Sequence, residues 1–247
     1  MKVIKRKRVA NWLGSPVRVI QQLIVSCWSY LSFPFSKFHD NAAKIYFMNL
    51  YAGKPDPLIF DGKDSRYFEQ IEMVYDIRNL AKKNVLDLGC GNGALFLWLE
   101  NKRAFPKEYV GIDFAHPPSN FGDKAYSVQK DLRELQIGET NADVVIAVNV
   151  LCYLNNYTMD FMFEPTKSGT ELIIVEPSPS VFWDAHFDGV ELYYRNHLKL
   201  TEYLKSKGWQ VKRESIDYGF KFIGKYFFSL SYCLFLVSDT CKKSLSM

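Results

Sequence analysis

The sequence predicts an α/β fold, a three-layer sandwich with a mostly parallel sheet between helices. Three observations predict it. From residue 65 onward, short apolar runs of strand length alternate with stretches of helical periodicity. One run, Val144 to Val148, is apolar throughout, as suits a central parallel strand buried on both faces. Another, Asn84 to Leu88, leads straight into glycines at alternate positions and then into apolar helix formers. Strand, glycine turn and helix together make a crossover whose backbone a ligand can approach.

The elements follow in chain order. Residues 1–64 read as an extension. Its first eight residues carry Lys2, Lys5, Arg6, Lys7 and Arg8. Pro16 suits a first helical position, and Val17, Ile20, Ile24 and Trp28 recur at helical spacing, so a capping helix is expected there. Gly53, Pro55, Pro57 and Gly62 mark a connection. A helix is expected from Ser65 to Leu80, capped by Ser65, with Phe68, Ile71, Val74 and Tyr75 as its buried stripe.

The glycine turn reads Asp87-Leu88-Gly89-Cys90-Gly91-Asn92-Gly93. Its G-x-G-x-G spacing differs from the dinucleotide fingerprint G-x-G-x-x-G. Asp87 would repel a pyrophosphate but suits a ligand carrying an ammonium or sulfonium group. This stretch resembles motif I of the class I S-adenosylmethionine-dependent methyltransferases. The resemblance covers Ser65 to Asp239. It implies a Rossmann-like domain of seven strands, in spatial order 3-2-1-4-5-7-6 counted along the chain, with the last strand antiparallel. It implies S-adenosylmethionine as cofactor, with Asp87, Gly89, Cys90, Gly91, Asn92 and Gly93 around its amino acid end. In that family the helix before the first strand covers the cofactor, so Arg66, Tyr67 and Gln70 are candidates to face it or to be plain surface polarity.

The second strand, Tyr109 to Phe114, ends in Asp113. An acid about 20 residues past the glycine turn is placed to accept ribose hydroxyls. Phe114 beside it is expected to pack on the adenine face. The third strand, Ala125 to Gln129, is followed by Asp131 and Leu132. The resemblance implies that Asp131 and the Leu132 main chain meet the adenine amino group, and a helix N-cap is the competing role for Asp131. The fourth strand, Ala142 to Val148, ends at Asn149, which the resemblance places beside the transferred methyl. A fifth strand (Thr170 to Glu176), a helix (Leu198 to Lys207) and two closing strands (Trp209 to Ile216, Tyr226 to Val237) complete the series.

Methyl transfer from a sulfonium is an in-line displacement, so the protein chiefly positions the acceptor and removes a proton. His186, in an aromatic loop after the fifth strand, and Glu176, at that strand's end, are the catalytic candidates; substrate binding or a hydrogen bond to neighbouring loop N–H groups is the competing role for Glu176. His197 is a further one, and His116 is expected near the adenine or on the surface. Many relatives carry Glu-His where Cys152-Tyr153 stand, so a histidine base is missing there. The Asn/Asp-Pro-Pro-Tyr/Phe motif of base-amino methylation is missing too. Cys152 lacks a Pro-Cys context and reads as core. Asp184, His186, Asp188 and Glu191 do not match the ligand positions of metal-using relatives, and no metal is expected.

Charge narrows the acceptor. The chain has 31 Lys+Arg and 27 Asp+Glu; without the five basic residues of the first eight, 26 cations face 27 acids. A near-neutral body lacks the basic footprint of nucleic-acid binding. The expected acceptor is therefore a small molecule, a glycan or a lipid-linked group, methylated on oxygen in preference to nitrogen. Rival readings are an RNA or protein acceptor tethered by the basic arm, and a scaffold that binds S-adenosylmethionine without turnover. Five cysteines, an odd count without metal spacing, point to reduced thiols and a cytoplasmic setting. The run Val19 to Val25 is too short and polar to cross a bilayer, though the basic arm can rest on an anionic membrane. The expected divisions are an extension with a helical cap or lid (1–64), a methyltransferase domain (65–240) and a tail (241–247).

Overall fold

The computed structural model describes residues 2–7, 65–115, 118–154, 156–164, 168–177, 195, 197–222 and 225–239. Nine strands form one sheet: β1 (Lys2–Lys7), β2 (Asn84–Leu88), β3 (Glu108–Asp113), β4 (Asn120–Gly122), β5 (Ala125–Gln129), β6 (Val144–Val148), β7 (Glu171–Pro177), β8 (Trp209–Phe222) and β9 (Lys225–Ser238). The α-helices are α1 (Ser65–Val74), α2 (Ala94–Asn101), α3 (Asn156–Met162) and α4 (His197–Ser206). The strand order is β1-β8-β9-β7-β6-β2-β3-β5-β4. Without the two outermost strands, this is the expected seven-strand order. β9 runs antiparallel between β7 and β8, and β2, β3, β5, β6 and β7 are mutually parallel.

The two outer strands were not expected. β4 is a three-residue antiparallel partner of β5. β1 is the first part of the basic arm, laid parallel along β8, with Lys2 opposite Arg213 and Lys7 opposite Tyr218. Its pairing depends on a strand some two hundred residues away, which no local pattern reveals. Lysine-rich edge strands also keep a sheet from pairing with other chains. The expected capping helix in the extension and the 241–247 tail lie outside the described residues.

Strand alternation divides the core in two. Val144 and Ile146 point to the face covered by α1 and α2, where Ile71, Val74, Leu80, Trp98 and Leu99 pack. Val145 and Ala147 point to the other face, against Met159, Met162, Leu200, Leu204 and Trp209. The helix expected to reach Leu80 stops at Val74 and resumes as a 3-10 helix, Ile77–Lys82. Asp76 causes the break. Its backbone is extended, and its carboxylate accepts a hydrogen bond from the Arg78 N–H and binds the Arg78 guanidinium at 2.8 Å. A capping aspartate thus outcompetes helix continuation.

Candidate active site

The carboxyl ends of the parallel strands lie on one edge, where open α/β sheets bind their ligands. β2 reaches that edge and its ladder carries on into the turn: the Gly89 and Cys90 N–H groups both donate to the Ile112 carbonyl, at 2.7 and 3.1 Å. Gly89, Gly91 and Gly93 then take left-handed φ values of 66°, 52° and 85°. Side chains other than glycine rarely adopt that backbone. Gly93 caps α2, and its carbonyl accepts the Leu97 N–H at 3.1 Å.

Asp113 stands at the end of β3 and is tied to this turn. One carboxylate oxygen accepts the Gly91 N–H at 3.0 Å, and the other accepts the Ala115 N–H at 2.7 Å. Phe114 follows it, half-buried, and its carbonyl accepts from the Gln129 side chain. Asp131 caps a 3-10 turn that starts at Leu132, and the Arg133 guanidinium grips its carboxylate at 2.6 Å. The cap role weighed for Asp131 is therefore realised in the fold, and Leu132 is buried.

Asp87 and Cys90 lie deeper than a ligand-facing reading supposes. Asp87 is buried and accepts a short hydrogen bond from the Tyr109 hydroxyl. Burial pushes its carboxyl up to about 7, although Tyr109 pulls the other way and Asp113 adds repulsion. The Cys90 sulfur sits over Gly111, where an added Cβ would approach it to 2.6 Å. Burial raises the Cys90 and Cys152 thiols well above their ordinary values, so neither is a ready thiolate. Asn92 is half-buried within the turn.

Across the edge, β6 ends at Asn149, a non-glycine residue at φ 56°. Its N–H donates to the Val175 carbonyl at 2.8 Å. The Val150 side chain then packs directly on Gly89. The turn after β6 and the glycine turn after β2 are thus in contact.

Glu176 requires a correction. Expected as a candidate base, its carboxylate is buried and engaged by three backbone N–H groups: Val150 at 2.9 Å, Leu151 at 2.7 Å and Cys152 at 3.3 Å. Burial lifts it to about 7, against the pull of those N–H groups and of Arg195. It holds a loop in place, and its oxygens point to amides. His186, His116 and the four acidic and histidine residues weighed as metal ligands lie outside the described residues. His197 starts α4 beside the Tyr232 ring, and burial lowers its pKa. Tyr67 and Gln70 are buried rather than surface-polar, and the Gln70 amide donates to the Ser231 hydroxyl at 2.5 Å. The side chain of Arg66 is outside the described residues.

Two buried acids with raised values make stability depend on pH. Asp87 ordinarily titrates at 3.8 and Glu176 at 4.5; in the fold both lie at about 7. The folded chain then binds more protons than the unfolded chain between these limits. Their contribution is full below about pH 4 and is lost as pH rises through 7. His197 works in the opposite direction, but only up to its ordinary 6.5. The melting temperature is therefore expected to fall from pH 6.5 to 8, and Asp87→Asn should flatten that fall. A melting temperature that rises over the same interval would contradict the assignment.

Sequence reasoning missed three residues of this site. Tyr109 buries the Asp87 carboxylate, Gly111 makes room for Cys90, and Arg195 donates to the carbonyls of Leu151 and Leu154, both at 2.6 Å. Only Gly111 left a sequence signal, as a glycine within a strand.

The donor set fits a nucleoside bearing a cationic amino acid. Three left-handed glycines open the main chain before α2. A carboxylate, which accepts up to about four hydrogen bonds, faces the same turn from β3. Comparison with known proteins agrees. A family model described as a methyltransferase domain matches residues 65–216. No curated protein matches by sequence. Among solved structures, a candidate S-adenosylmethionine-dependent methyltransferase from Listeria monocytogenes is 16% identical with a TM-score of 0.54, covering 72% of this chain and 100% of its own. An S-adenosylmethionine-dependent methyltransferase from Mesorhizobium loti is 12% identical, with a TM-score of 0.54 and coverages of 72% and 100%. A Haloferax volcanii complex of the Trm112 methyltransferase activator with a candidate methyltransferase gives 13%, a TM-score of 0.56, and coverages of 82% and 99%. These likenesses concern the fold. The match over residues 65–216, on this strand order and glycine turn, shows that the chain belongs to the class I S-adenosylmethionine-dependent methyltransferases.

Proposed function

We propose that this methyltransferase acts on an oxygen, or failing that a nitrogen, of a small-molecule, glycan or lipid-linked acceptor, in the cytoplasm. The charge balance is the observation that supports the acceptor class: beyond the first eight residues 26 cations meet 27 acids, a balance without the overall basic excess of a polyanion binder. Bound S-adenosylmethionine supplies a methyl group on a sulfonium that leaves readily. In this reading Asp113 holds the ribose hydroxyls. The glycine turn and the start of α2 receive the amino acid end, over a floor set by Asp87 and Tyr109. Asp131 and the Leu132 main chain border the adenine, with Phe114 against its face. Asn149 stands beside the transferred methyl. His186 is the proposed proton acceptor, since Glu176 is occupied by loop amides.

The test is a turnover assay on the full chain. S-adenosylhomocysteine release is followed with hydroxylated small molecules, oligosaccharides, detergent-dispersed lipid-linked sugars, RNA and protein extracts. Release is expected with one of the first three groups. Release with RNA alone, lost on deletion of residues 1–8 and falling steeply with salt, would overturn the acceptor class. Tight cofactor binding without release from any acceptor would favour a scaffold.

A further inference from the structure

The segment from Asn149 to Leu154 is irregular backbone at the carboxyl edge. It leaves β6 with Asn149 in the left-handed region and makes one 3-10 turn, Leu151–Tyr153. Two backbone hydrogen bonds run within it, Tyr153 N–H to the Val150 carbonyl and Leu154 N–H to the Leu151 carbonyl, both at 3.0 Å, and the Cys152 thiol reaches the Asn149 side-chain oxygen at 3.9 Å. Asparagine enters this backbone more readily than other non-glycine residues, and here the neighbouring groups hold it.

Two buried charges do the enforcing. Glu176, at the end of β7, receives the N–H groups of Val150, Leu151 and Cys152. Arg195, just ahead of α4, donates from its two terminal nitrogens to the carbonyls of Leu151 and Leu154. Each residue is 3% exposed. The Arg195 carbonyl in turn accepts the buried Tyr232 hydroxyl at 3.0 Å, which fixes it to β9. The carboxylate thus sits at the amide end of the turn and the guanidinium at carbonyls further along, the arrangement the backbone dipoles favour. Burying either charge alone is strongly unfavourable, and apolar residues of similar volume often stabilise a fold as well or better. Stability by itself is a poor reason for such a pair. A backbone that must be held still, where neither helix nor ladder can hold it, is a better one.

We propose that Glu176 and Arg195 are positioning residues: they clamp the Asn149–Leu154 turn between them and so fix Asn149 and the Val150–Gly89 contact at the cofactor edge. This inference rests on the methyl-transfer reading above. The clamp acts through the turn and not on the reacting atoms. Because Val150 packs on Gly89, loosening the turn also loosens the glycine turn of the cofactor site.

The experiment compares the full wild-type chain with Glu176→Gln, Arg195→Lys and Arg195→Met. It reads amide hydrogen exchange at 150–154 and in β2, β3 and β6 by NMR, and S-adenosylhomocysteine affinity by calorimetry. Glu176→Gln keeps the shape but turns an amide NH2 toward one of the backbone donors. Exchange at Leu151 and Cys152 is expected to rise at least tenfold while the central strands stay protected, and affinity is expected to fall about three- to tenfold. Lysine keeps the charge of Arg195 but lacks its fork for two carbonyls. Arg195→Lys is therefore expected to behave like Arg195→Met, which a charge effect alone would not produce. The proposal fails if exchange at 150–154 is unchanged. It fails equally if exchange rises in proportion throughout β2, β3 and β6, since that marks general destabilisation. Faster turn exchange with unchanged affinity also overturns it. A wild-type chain that binds no S-adenosylhomocysteine would refute the cofactor reading itself, whereas a binding wild type with equally binding variants refutes the clamp alone. If the Arg195 variants fail to fold, the near-isosteric Glu176→Gln decides.

Discussion

Asp113→Ala is expected to lower the affinity for S-adenosylmethionine about ten- to a hundredfold, as titration calorimetry on the full chain would show. Hydrogen bonds to a charged partner contribute roughly 1.5–3 kcal/mol, and each 1.4 kcal/mol is about tenfold in binding. Asp113 has two tasks in this reading. It would hold the ribose, and it already accepts the Gly91 and Ala115 N–H groups, which fix the glycine turn against β3. Asp113→Asn separates the tasks. Its amide oxygen can still accept a backbone N–H, while the charge is gone, so an intermediate loss is expected. Unchanged affinity in the alanine variant would refute the ribose assignment.

Gly89→Ala is expected to carry the largest cost in stability. Gly89 has φ 66°, and an added Cβ would lie 2.5 Å from one Val150 methyl and 3.0 Å from the Val150 Cβ. Left-handed backbone costs a non-glycine residue roughly 1–2 kcal/mol. Overpacking adds roughly 1–3 kcal/mol, because the neighbour is a β-branched side chain with few ways to move. Together these lower the melting temperature by about 5–15 °C for a domain of this size. Gly169→Ala is the control: its φ is 84°, but nothing lies within 4 Å of an added Cβ. It should show the backbone cost alone. Gly89→Ala combined with Val150→Ala should recover the packing part. A single Gly89→Ala variant that melts with the wild type would mean that the two turns do not touch as described.

Much of the fold was legible because its signals are local. β2 and β5 fall on their expected residues, and β3, β6 and β7 differ by one or two at their ends. Alternation explains why: Val144 and Val145 serve opposite cores, so an uninterrupted apolar run is what a doubly covered strand requires. The break after Val74 escaped because apolar spacing continues through it, while the deciding event is Asp76 turning its carboxylate onto Arg78. β8 extends six residues past its expected end, to Phe222, since hairpin pairing with β9 continues where the pattern fades, whereas β9 gains one residue at each end.

The site was legible in its outline and not in its interior. Asp113 meets the glycine turn at Gly91, whose N–H it accepts. The role of Glu176 was not readable, since an acid at a strand end can face a ligand or turn to neighbouring amides. Burial beside three backbone N–H groups decided for the amides.

By itself the sequence determined the five parallel strands and the glycine turn, because glycine placement and strand periodicity are properties of short stretches, and its resemblance to the methyltransferases implied the order of seven strands and the cofactor. The tertiary structure alone decided which acids are free to act. Asp87 went to Tyr109 and Glu176 to the turn that Arg195 holds from its other end, whereas Asp131 caps its own local turn. The partners of Asp87 and Glu176 lie 22 to 26 positions away in the chain. In low-dielectric surroundings a carboxylate takes whichever donors the packing brings within reach, and that choice is made only when the elements meet.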